Sequence, residues 1–161
     1  MERDPRLRRL SEEHHHGLAF ALRIERELPE ADDEALGELY ADLLRFWTRG
    51  LLPHFHTESE CLLARLMRHT GPDDRRVRRL LRDHVGMEAL VAWMRDNEGN
   101  PRARREALML FGESLRSHIR WEERTFFEAL QDTLKDEELD AAGGEIEERL
   151  PKPTRVPWEA D

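Results

Sequence analysis

One cysteine, Cys61, stands in the whole chain. It excludes an internal disulfide and any zinc knuckle built on paired thiolates, and it fits a reducing compartment. Long apolar runs are missing too. No stretch approaches the roughly 20 residues that cross a bilayer, and Met1 to Arg9 carry charges where a secretory leader needs an apolar centre. Surplus positive charge is also absent. The formal net charge of -9 and a pI near 5.4 argue against nucleic acid or an anionic membrane as partner, because both demand a basic face. A cytoplasmic location is expected. There is no Gly-rich phosphate loop, no nucleophile turn of the serine-hydrolase kind and no run that reads as a strand.

What remains is a chain of 161 residues, 38% of them charged, which suits one compact domain with a real core and a strongly polar surface. Proline, glycine and acidic clusters divide it into four helical stretches. These are expected at about Pro5 to Leu28, Glu34 to Arg68, Asp73 to Asp96 and Pro101 to Leu134. Asp32 or Asp33 is placed to cap the second stretch, and Pro53 inside it should kink rather than end it. Short connections imply antiparallel neighbours, hence an all-α, up-down-up-down four-helix bundle over residues 1–134. The tail, 135–161, reads differently. Asp136 to Ala142 suit a short helical turn, Gly143-Gly144 should interrupt it, and three prolines make the rest extended, either loose or as a strap laying Val156 and Trp158 on the bundle or on a second subunit.

Four times a histidine is followed four residues later by glutamate: His54/Glu58, His56/Glu60, His84/Glu88 and His118/Glu122. The composition would give about one such pair by chance. On a helix this spacing places imidazole and carboxylate on one face, within reach of one metal ion. Neighbours decide which pairs face inward. His54/Glu58 shares a row with Trp47, Leu51, Cys61 and Leu62; His84/Glu88 with Leu80, Met87 and Val91; His118/Glu122 with Phe111, Leu115 and Phe126. His56/Glu60 is rotated by some 200° into a row with Arg45 and Arg49 and should be a solvated surface pair. Three buried glutamates are costly unless paired with charge, and a dinuclear cation site would neutralise all three at once. The first helix should supply one more ligand, His14 or His15, with the other set behind it; His16 has charged neighbours and should face solvent.

These residues resemble the hemerythrin-like, or HHE, cation-binding domains. The likeness runs from about Leu7 to Leu130. It rests on the histidines after Leu10-Ser11-Glu12-Glu13, on His54-Phe55-His56-Thr57-Glu58, on Asp83-His84, and on His118-Ile119-Arg120-Trp121-Glu122. It implies a four-helix bundle around two iron ions, a non-haem oxo- or hydroxo-bridged centre, with manganese or zinc as substitutes. His14 or His15 with His54 would hold one iron, His84 with His118 the other, and Glu58 and Glu122 would bridge. The chain departs from the oxygen carriers of that family in two places. Glu88 stands where a second helix-three histidine is expected, and helix four shows a four-residue rather than five-residue spacing. A third carboxylate ligand, Glu88, favours ferric iron and points away from simple reversible oxygen carriage.

The implied function is binding of O2, NO or peroxide at an iron position, for sensing, scavenging or buffering. Two other readings compete: a di-iron redox enzyme that disproportionates peroxide or oxidises ferrous iron, which Glu88 favours, and a metal-poor helical interaction module. A ferritin-like carboxylate bundle would need Glu-x-x-His on two helices, whereas here it occurs only on one, at Glu12/His15 and Glu13/His16. Cys61 is either a small core residue or a thiol beside the iron. Monomer and homodimer are both open.

Overall fold

In the computed structural model, which describes residues 2–160, five helices follow one another with no strand among the described residues. A 3-10 turn, Pro5–Leu7, leads into α1, Arg8–Glu27. The α2 helix spans residues 33–70, α3 is Arg75–Asp96, α4 spans residues 101–133 and α5 is Asp136–Arg149. The polar residues before three of these helices cap them. The Asp32 carboxylate accepts from Ala35 N at 2.9 Å, Asp74 from Arg76 N at 2.8 Å and Asn100 from Ala103 N at 3.1 Å, each satisfying a donor that the first turn leaves orphaned. Among the described residues no helix is long and apolar enough to cross a membrane.

Pro53 leaves α2 unbroken. Just before it, Trp47–Leu51 form a π turn closed by Leu52 N–H on Trp47 O, and this wider turn accommodates the proline without ending the helix. Two more π turns, Glu58–Leu63 and Glu122–Phe126, start at glutamates of the expected metal pairs.

The core is split in two. One cluster gathers Phe20, Ile24, Leu39, Leu43, Phe46 and Phe111. The other gathers Leu7, Leu10, Leu62, Leu66, Phe126 and Leu130. Each helix of the bundle carries a buried histidine between the residues it gives to these two clusters, so these polar groups are walled off from water by apolar side chains.

The tail differs from its expected form. Gly143-Gly144 interrupts nothing: α5 runs through to Arg149 and buries Leu139, Ala142 and Ile146 in the second cluster. A Cβ on Gly143 would come within 2.9 Å of Arg6 Cβ, so this glycine lets the helix lie against the N-terminal turn. Burial of the apolar face outweighs the low helix propensity of two glycines. Beyond α5 the chain is a strap. Val156 is half-buried, Pro157 is buried over Gly50, and the Trp158 ring packs 5.2 Å from both Phe20 and Phe46. The guanidinium of Arg9, itself buried, donates to Leu150 O at 2.6 Å, and Arg45 donates to Trp158 O at 3.0 Å. Met1 and Asp161, the outer ends of the two expected segments, lie outside the described residues.

Candidate metal centre

Four helices deliver six side chains to the layer between the two clusters: His14 from α1, His54 and Glu58 from α2, His84 from α3, and His118 and Glu122 from α4, all buried. They form two groups, His14, His54, Glu58, Glu122 and Glu58, His84, His118, Glu122, with the ligand atoms of each group within 4.8 Å of one another. Both glutamates belong to both groups. Glu58 Oε1 lies 3.2 Å from His54 Nε2 and 3.7 Å from His14 Nε2, while its Oε2 lies 3.3 Å from His84 Nε2. Glu122 Oε2 lies 3.1 Å from His14 Nε2 and its Oε1 3.2 Å from His118 Nε2. Within each group the two imidazole Nε2 atoms meet, at 3.2 Å for His14/His54 and 3.1 Å for His84/His118.

All four carboxylate oxygens are buried without a hydrogen-bond partner. The imidazole nitrogens are near enough for charge attraction yet are not aligned to donate to them. Buried anions without a hydrogen-bond partner, facing imidazole Nε2 atoms crowded together in pairs, form a donor set suited to cations. The electrostatics agree. Burial raises the Glu58 carboxyl, but His54, His14 and His84 reverse this and hold it well below the usual range. Burial and Glu58 raise Glu122, and His118 and His14 bring it down again. Burial depresses His118, yet Glu122 and Asp83 lift it to about 9. His14 follows the same pattern, lifted by Glu122, Glu123 and Glu58. The centre therefore keeps its carboxylates ionised and demands positive charge.

Two expected ligands are elsewhere. The buried row of α3 is Val77, Leu80, His84, Met87, Val91 and Met94, and Glu88 is exposed. His84 stands at the edge of this row, and one turn of four residues advances a further 40° around the helix, which carries Glu88 out to solvent. His15 is exposed as well, leaving His14 as the α1 residue at the centre. His56 and Glu60 are exposed, Glu60 being paired with Arg149 of α5. Cys61 lies in the second apolar cluster beside Arg65 and Glu145, and burial together with Glu145 raises its thiol to about 11. It is a neutral core group outside both ligand sets.

Two carboxylates that the sequence reading passed over stand behind the ligands. Glu123 Oε1 lies 2.6 Å from His14 Nδ1, and Arg3 Nη2 holds Glu123 at 2.7 Å. Asp83 Oδ2 lies 3.4 Å from His118 Nδ1, with Arg82 2.8 Å from Asp83. An Nδ1–H donated to these acids turns the Nε2 lone pair toward the centre. Each acid sits next in sequence to a ligand of another helix, Asp83 before His84 and Glu123 after Glu122. That adjacency was the only available signal, because each acid stands about 100° around its helix from the inward residue beside it.

Fold and site together define a helical-bundle cation-binding domain with imidazole and carboxylate donors. The hemerythrin HHE cation-binding domain model matches residues 6–130, and the chain belongs to that family. No curated protein and no solved structure matches it.

Proposed function

We propose that this centre is a non-haem di-iron site that binds a small diatomic molecule or peroxide, in sensing, scavenging or buffering. The observation that carries this reading is the division of each glutamate's two oxygens between the two histidine pairs, the arrangement a bridging carboxylate needs. His14 and His54 would hold one ion, His84 and His118 the other, with Glu58 and Glu122 spanning both. Each ion would then have four protein donors. Iron prefers more, so a position remains for an exogenous ligand. Bound iron would supply the redox-active Lewis acid.

The residues set what enters and how the ions are held. Beside His14 and His54 lies a void of about 10 Å³, bordered by Gly17, Phe46 and Gly50, room for no more than about one water-sized molecule. Phe55 stacks on His84 at 4.0 Å and fixes the ring plane, while Trp121 and Phe127 flank His118 and His14. The redox-enzyme alternative drew on a third carboxylate at the centre, and Glu88 on the surface removes that support. The test is metal analysis of the purified full chain, followed by optical titration of the reduced protein with nitric oxide. Two iron per chain and a saturable spectral change are expected. One metal equivalent per chain, or a spectrum indifferent to nitric oxide, overturns the reading.

A further inference from the structure

Six large hydrophobic side chains are exposed among the described residues, and three stand on α3: Leu81 at 44%, Val85 at 61% and Trp93 at 44% exposure. Val85 lies in one outward strip, with Leu81 and Trp93 at its two edges. Arg78, Arg82, Val85, Ala89, Ala92 and Asp96 follow one another at alternating steps of four and three, and all six are exposed. This spacing keeps them on a single face, the pattern of a helix that packs against another helix. Among the described residues no element covers it. The two ends of the strip also carry opposite charges. Arg78 and Asp96 stand equally far on either side of Met87, about 27 Å apart along the axis, and neither side chain has a hydrogen-bond or ion-pair partner among the described residues.

We propose that this face of α3 is a homodimer interface in which two copies pair their α3 helices antiparallel about a twofold axis at the level of Met87. The register follows from the residues. A twofold interface brings each residue to the level of the one equally distant beyond the axis. Val85 then meets the partner subunit's Ala89, Arg82 the level of the partner's Ala92, and Arg78 the partner's Asp96, giving two unpaired charges their opposites twice over. The small side chains Ala89 and Ala92 let the backbones approach, while Leu81 and Trp93 flank the seam. A parallel pairing would set Arg78 against arginine and Asp96 against aspartate, which like-charge repulsion disfavours. His84 points the other way, into the bundle, so the interface leaves the metal centre intact.

Sedimentation velocity of the metal-loaded full chain over a concentration series tests this. The wild type should shift from monomer to dimer with concentration. Val85→Glu should raise the dimer dissociation constant by roughly tenfold or more, with helicity and metal content unchanged because Val85 supports no core packing. Arg78→Asp and Asp96→Arg should each weaken the dimer, and the double exchange should restore it. Restoration distinguishes antiparallel α3 pairing from any other contact. A chain that stays monomeric at every concentration, or a dimer indifferent to Val85→Glu, overturns the proposal.

Discussion

At the scale of single residues, burial and reach separate side chains that the sequence presents as equals. Glu58, Glu60, Glu88 and Glu122 each follow a histidine by four, yet only Glu58 and Glu122 lie fully buried between two histidine pairs. Replacing either by alanine should strip most of the bound metal, read as metal per chain after gel filtration. Glu60→Ala and Glu88→Ala should leave it unchanged, since both side chains are in solvent. Metal loss in the Glu88 variant would place that carboxylate at the centre after all. Glu123→Gln is a different kind of change. It keeps an acceptor near His14 Nδ1 but removes the charge, so it should weaken metal retention roughly 10- to 100-fold against a chelator without abolishing loading.

At the scale of elements, helix ends and turns place the ligands. Just before α3 stands Asp74, whose carboxylate caps the helix and holds Arg76 at 2.7 Å. The hydrogen bonds from Arg76 outweigh burial and bring the Asp74 carboxyl to about 2. A carboxyl depressed in the folded state stabilises above its unfolded value and loses that contribution as pH falls through the folded one. Asp74→Ala should therefore cost about 1 kcal/mol near neutral pH. The difference from wild type, measured by urea unfolding of metal-free protein, should shrink below about pH 4 as the cap protonates. A gap that persists undiminished toward pH 2 would mean that the ionised cap contributes nothing. The π turns beginning at Glu58 and Glu122 belong to this scale too. They sit in the two helices that supply the carboxylates shared by both histidine pairs, where a locally widened turn re-aims side chains.

At the scale of the whole molecule, one polar layer is held between two apolar clusters, and stability depends on what neutralises it. Without a cation, Glu58 and Glu122 rely on nearby imidazoles alone. Chelation should lower the thermal midpoint, and adding back metal should restore it with a dependence on free metal concentration. A midpoint insensitive to chelation would mean that the layer satisfies itself.

The sequence by itself determined the four bundle helices, the cap of the second among Asp32 and Asp33, and the identity of His54, Glu58, His84, His118 and Glu122 as inward residues. Helical periodicity and capping are local, and a polar residue inside an apolar row can be read without knowing what it faces. The tertiary structure alone decided the rest. It buried His14 and exposed His15, sent Glu88 outward, and brought Asp83 and Glu123 behind candidate ligands of other helices, because how far each buried arc extends depends on the neighbours packed against it. It also carried α5 through Gly143-Gly144, where burial against Arg6 and the second cluster overrode local propensity.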